Sequence, residues 1–171
     1  MIYTALSLVV LGIVGGILIV SLTTQQSVTT TSLAASSAQL VADTVETGIR
    51  NSTAFTLTTQ PSGNQFLVAR SAGAGSSPSW ECVAWYYTAG ASGSVHYLHR
   101  ATSIAAPSSS DLASWTLLGA GISPTQGSTI FSGSTTVLSL NFKESSPGNP
   151  TVTIATSVTS QAGPVMSAPC F

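Results

Sequence analysis

MIYTALSLVVLGIVGGILIVSL, Met1 to Leu22, contains no charged side chain, and the rest of the chain is read from its far end. At ~1.5 Å per residue, a helix of this length covers roughly 30 Å, the hydrocarbon thickness of a bilayer. The stretch therefore reads as a membrane span at some stage of the protein's life. Charge does not appear until Asp43, so hydrophobicity fades through polar residues first. A simple stop-transfer anchor carries basic residues at a flank, and a secretory signal peptide opens with Lys or Arg. Here the first basic residue is Arg50. The expectation is that Met1 is the first residue of a mature chain, left after a short basic leader was cut away ahead of the helix.

The remaining length leaves room for one domain of about 120 residues, enough for a real core. Only 5% of the 171 residues are charged, while Ser, Thr, Gly and Ala dominate. Ordinary soluble proteins carry roughly 25% charged residues, so the composition is not that of a cytosolic enzyme. Four basic and five acidic side chains give a net charge of -1. That balance offers no electrostatic footprint for nucleic acid, and none for anionic membrane surfaces or acidic substrates.

Beyond Leu22, Leu33, Ser37, Leu40, Val41, Thr44, Val45, Gly48 and Ile49 recur at helical spacing as one stripe. The helix is expected to continue to about Arg50. Gln25, Gln26 and Thr29 to Thr31 have weak helix propensity, so a break there is the alternative. From Phe55 the period changes to that of strands. FTLTTQ and NQFLVAR flank the turn Pro61 to Asn64, and WECVAWYYTA and VHYLHRATSI flank a Gly-Ala-Ser-Gly turn. In the first arm of the second hairpin, Trp80, Cys82, Ala84 and Tyr86 share one face, and Glu81, Val83, Trp85 and Tyr87 the other. Two substantial faces predict a central strand. WTLLGAGI, TIFSG, STTVLSLNFKE and TVTIATSVTS supply further strands, the last two as another antiparallel hairpin. The predicted class is α+β: residues 1–52 form a helix, hydrophobic over 1–22 and amphipathic over 23–52, packed on an antiparallel β domain of residues 53–171.

Cys82 and the penultimate Cys170 are the only cysteines. An even count in a chain that crosses a membrane favours one disulfide, returning the tail GPVMSAPCF to the second hairpin; two buried free thiols are the alternative.

This plan, a hydrophobic N-terminal helix continuing as an amphipathic spine before an antiparallel sheet, resembles that of type IV pilins. The similarity covers the whole chain by architecture and rests at residue level on Met1 to Leu22. Bacterial pilins usually carry Glu at the fifth mature position, where this chain has Ala5 after Thr4. Archaeal filament subunits and some bacterial tip or minor pilins also lack it. The Ser/Thr/Gly-rich, Lys-poor domain resembles pilin-like proteins of high-GC Gram-positive bacteria, with archaeal pilins next. The resemblance implies a structural, non-enzymatic subunit without cofactors, held in the cytoplasmic membrane and then polymerised by an assembly machinery into a homo-oligomeric helical filament outside the cell. It also implies packing through Met1, Thr4, Ala5, Leu8, Leu11, Ile13, Val14, Ile17 and Leu18. Ala5, Ser7, Gly12, Gly15 and Gly16 would let helices approach closely. A minor or tip pilin, or a secretion pseudopilin, fits the same resemblance.

Other chemistry has weaker support. His96 and His99 read as H-x-x-H, but residues three apart on a strand point to opposite faces, so no metal site is expected there. Glu46 and Arg50 have the spacing of a helical ion pair. No nucleotide-binding or nucleophile-elbow motif occurs, and the five carboxylates form no evident acid and base pair, so no catalytic residue is assigned. The aromatics Trp80, Trp85, Tyr86, Tyr87 and Tyr97 support a competing reading, a membrane-anchored adhesin or carbohydrate-binding surface protein, if they are exposed. Asn51-Ser52-Thr53 fits the N-glycosylation acceptor pattern, and the Ser-rich loops at Ser71 to Ser79 and Ser108 to Ser110 are alternative sites for sugars.

Overall fold

The computed structural model describes residues 2–73, 79–90, 92–108, 110–145, 150–161 and 170, without the side chains of Ile2 and Leu8. Met1, most of the loop after Gly73, the Pro-Gly-Asn turn and the tail apart from Cys170 lie outside the described residues. Helix α1 runs unbroken over Ile2–Arg50, a length of about 74 Å at ~1.5 Å per residue. The Thr-rich stretch does not interrupt it. Thr23, Thr24, Thr29, Thr30 and Thr31 each donate a hydroxyl hydrogen bond to a backbone carbonyl three or four residues earlier. Those hydroxyls therefore find partners within the helix instead of competing with it.

Eight strands follow: β1 (Ser52–Thr59), β2 (Gln65–Ala72), β3 (Trp80–Thr88), β4 (Gly93–Arg100), β5 (Thr116–Pro124), β6 (Phe131–Gly133), β7 (Val137–Glu144) and β8 (Val152–Thr159). They form one antiparallel sheet in the order β1-β2-β3-β4-β5-β7. Along one edge β7 pairs with β5 and β6 in turn, and along the other with β8. The sheet is strongly curled and nearly barrel-shaped. Its free ends approach each other, and the Ser160 hydroxyl just after β8 donates to the Ser52 carbonyl at the start of β1, at 2.8 Å.

The second half of α1 lies in the concavity. Ala34, Ala38, Val41, Ala42, Val45 and Ile49 are its buried apolar residues. Leu33 and Leu40, expected on the buried stripe, are 64% and 50% exposed and face away from the sheet. The curled sheet admits only a slim helix face, so alanine and valine replace leucine along it. Gly48 marks the tightest approach, because a side chain there would collide with the Trp85 ring. Leu67, Val83, Trp85, Tyr87, Val95, Ile122, Phe131, Leu138, Leu140 and Phe142 line the concave side.

The convex face carries a second, smaller core of Phe66, Val68, Cys82, Ala84, Tyr86, Ile104, Trp115 and Cys170. β3 contributes to both cores by alternation, Val83, Trp85 and Tyr87 inward and Cys82, Ala84 and Tyr86 outward. Cys82 and Cys170 are joined by a disulfide across 88 residues, which clamps the end of the chain onto this outer layer. In the chain-entropy account, a loop that long contributes roughly 4 kcal/mol.

Where β2 meets β6 no ladder forms, and one buried side chain takes its place. Gln65 Oε1 accepts from the backbone N–H of Ile130 and Phe131 at 2.8 and 2.9 Å, and its Nε2 donates to the Phe131 carbonyl at 2.8 Å. Removing that amide leaves buried backbone groups without partners, at about 1–3 kcal/mol each. Gln65→Leu is therefore expected to destabilise the domain by about 3 kcal/mol or more, measured by denaturant unfolding of the detergent-solubilised protein. A change within ~0.5 kcal/mol, the range of an ordinary surface substitution, would show that this closure is dispensable.

Candidate functional site

Among the described residues, most of the exposed large apolar side chains lie on the first half of α1. Ser27 and Thr31 are half-buried near Pro150 and Ala34 is the first residue of α1 buried against the sheet, so the helix before Ser27, about 37 Å at ~1.5 Å per residue, projects clear of the domain. Tyr3, Leu6, Val9, Leu11, Ile13, Ile17, Leu18, Ile19 and Val20 are all more than half exposed, and Val14 is nearly so. This is a helix long and apolar enough to cross a membrane. Thr4, Ala5, Leu11, Ile13, Val14, Ile17 and Leu18 all lie on this bare segment. Met1 lies outside the described residues, as does the side chain of Leu8.

Gly12 and Gly16 are four residues apart, hence on one face, with Gly15 beside them. Nothing lies within 4 Å of where a side chain would stand at any of the three. These glycines therefore have no packing role inside the subunit. They leave a shallow notch on a bare apolar helix, the shape by which helices in lipid approach one another closely. Ser7, on the same segment, bonds back to the Tyr3 carbonyl at 2.9 Å and presents little unsatisfied polarity.

At the other end the helix is fixed to the sheet by two carboxylates as well as by its apolar face. The Ser37 hydroxyl lies 2.9 and 2.8 Å from the two oxygens of Glu144, and Thr156 donates to Glu46 at 2.8 Å. Glu46 also approaches Arg50 at 3.6 Å. The role of Glu144 was not anticipated from the sequence, yet a signal was present. It continues the inward alternation Leu138, Leu140, Phe142 at the end of β7 and is a buried acid in an apolar register. Burial pushes its carboxyl above the usual range, partly offset by the Ser37 hydrogen bond.

The remaining candidates are dispersed. His96 Nε2 meets Ser94 Oγ at 2.9 Å, while His99 Nε2 meets Glu81 Oε2 at 2.8 Å. His96 pairs across the ladder with Tyr86 of the convex core, and His99 with Val83 of the concave one, so the two rings do not converge. Burial lowers the His96 pKa. Of the aromatics, Trp85, Tyr86 and Tyr87 are core residues and Tyr97 packs against the concave core. Trp80 alone of the five is exposed, at 44%, and the Arg70 guanidinium stacks 4.3 Å from its ring centre. Asn51 is exposed at the end of the helix.

No protein-family model matches the chain, and no curated protein or solved structure is detectably similar to it. The reading of the surface therefore rests on its own geometry.

Because the folded Glu144 carboxyl titrates above its ordinary value of about 4.3, the folded state holds its proton more tightly than the unfolded chain. Its contribution is then most favourable below that ordinary value and declines as pH rises through the folded pKa. Glu144→Gln, which keeps an acceptor for Ser37, is expected to raise the melting temperature relative to wild type increasingly from about pH 4 to pH 7. Comparing the two proteins across pH isolates this effect from His96, whose lowered pKa acts in the opposite direction. A melting difference that does not change with pH would rule out the assigned role of Glu144.

Proposed function

We propose that the chain is the structural subunit of an extracellular type IV pilus-like filament, held in the cytoplasmic membrane by Met1 to Leu22 and then assembled through the same helix. The observation that carries this reading is the bare apolar half of α1, in rigid helical continuity with a half that is locked into its own domain. In lipid that surface is covered by acyl chains; in a fibre it is covered by copies of itself. At roughly 25 cal/mol per Å² of apolar area, many such contacts sustain a polymer without covalent links. The Gly12 and Gly16 notch supports close parallel approach of neighbouring helices. Subunits stacked along a helical path meet through unlike patches, which generates an open filament and not a closed ring.

In this reading the protein is not an enzyme, and its partners are other copies, the membrane and an assembly machinery. A minor or tip pilin, or a secretion pseudopilin, belongs to the same class. An anchored adhesin is the competitor from another class, favoured by exposed Trp80, although burial of Trp85, Tyr86 and Tyr87 leaves it little aromatic surface.

Val14→Glu is expected to abolish fibres in sheared cell-surface material examined by electron microscopy, while the disulfide-bonded domain keeps its protease resistance. The double variant Gly12→Leu, Gly16→Leu keeps the helix apolar and so still enters the membrane. It is expected to reduce fibre yield about tenfold or more, the effect of losing ~1.4 kcal/mol per subunit contact. Fibres built of both variants at normal yield would overturn assembly through this helix, and wild-type surface fibres that lack the chain would overturn the filament reading and leave the anchored monomer.

A further inference from the structure

Of the four asparagines, only Asn51 begins an N-x-[ST] triplet that lacks proline in the middle; Asn149 is followed by Pro150 and Thr151. Asn64 has its amide committed to the Tyr86 hydroxyl and the Ala89 N–H. Asn51 is exposed in the turn between α1 and β1, and its backbone N–H closes the helix on the Thr47 carbonyl at 3.1 Å. It stands about 44 Å along the helix axis beyond Leu22, at the end of the helix farthest from the apolar half.

Asn51 also lies on the rim of a surface cleft of about 700 Å³, within the size range of small-ligand sites. Asp43, Thr47, Ser71 and Gln161 supply that cleft with carboxylate, hydroxyl and amide groups of the kind that bonds to sugar hydroxyls, beside an apolar wall that includes Val83 and Trp85.

We propose that Asn51 carries an N-linked oligosaccharide whose first sugar rests in this cleft. The donor is an oligosaccharide linked through phosphate to a membrane lipid, transferred by a separate enzyme. Asn51 Nδ2 forms the new bond to the anomeric carbon of the sugar. The bond from that carbon to the phosphate oxygen breaks, its electron pair leaves with the lipid phosphate, and the proton given up by Nδ2 is taken by base. Neither oxidant nor reductant is involved.

In the folded domain the hydroxyl that the transferase reads is already engaged. Thr53, the third residue of the triplet, sits in a bulge where the β1–β2 register shifts between Ser52 and Ala54. Its hydroxyl accepts from Arg70 Nε at 3.0 Å and donates to the Arg70 carbonyl at 3.4 Å, while Ser52 is buried. Transfer before β1 closes on β2 would leave that hydroxyl free for the transferase to read.

The test is intact-mass and peptide mass spectrometry of the full chain recovered from the cells that make it, in four forms. Wild type and Thr53→Ser, which retains the hydroxyl, are expected to exceed the sequence mass by the same oligosaccharide, located on the peptide containing Asn51. Asn51→Gln and Thr53→Val are expected at bare mass. Asn51→Gln alters an exposed side chain and keeps the fold, so its mass is read on native protein. Wild type at bare mass, or sugar confined to serine and threonine, overturns the proposal. Hydrogen exchange reads the seating of the sugar: amides over 43–51 and 71–72 are expected to exchange more slowly in wild type than in Asn51→Gln. Equal exchange with sugar present removes the cleft from the proposal.

Discussion

The docking of a slim helix face into a curled sheet is the constraint from which the other features of this structure follow. Ala34, Ala38, Val41, Ala42, Val45 and Ile49 are small enough for the backbone of α1 to lie deep in the concavity, and Gly48 lets it touch the Trp85 ring. Larger residues on that face would hold the helix away and open the core beneath it, since protein interiors tolerate few voids. Because the docked half and the bare half are one unbroken helix, fixing the first also fixes the direction of the second. The domain is in this sense a handle that aims an apolar rod.

The sheet can serve this purpose because both of its faces are covered. The concave face is sealed by α1, and the convex face by the segment around Ile104 and Trp115 together with the disulfide-bound Cys170. Closure of the near-barrel depends on side chains instead of a continuous ladder, through Gln65 between β2 and β6 and Ser160 between β8 and β1. A single amide or hydroxyl with good geometry satisfies the backbone groups that a fully closed barrel would pair by register.

The same economy of charge shapes the surface. Glu144 and Glu46 are used to tie helix to sheet, and Glu81 is paired with His99. The outward side chains are largely serine and threonine, many of which find hydrogen-bond partners within their own helix or turn. Such a surface offers little long-range repulsion between copies, which is compatible with dense packing in a polymer.

The sequence by itself determined the apolar rod, the strand periodicities and the two-faced character of β3. These are local properties, set by runs and alternations that any window of the chain displays: Met1 to Leu22 has no charge, and Val83, Trp85 and Tyr87 alternate with Cys82, Ala84 and Tyr86. The side of the helix that would be buried was not legible, because hydrophobicity favours Leu33 and Leu40 while the concave sheet selects for smallness. Nor was the role of Gln65 or Ser37, since each is an ordinary polar residue until a partner about 65 or 107 positions away is brought beside it. The curl of the sheet was likewise decided only in three dimensions, where strand pairing, helix bulk and the few closing hydrogen bonds must be satisfied together. Local pattern specifies which elements form; their curvature and mutual fit depend on contacts that exist only once the chain has folded.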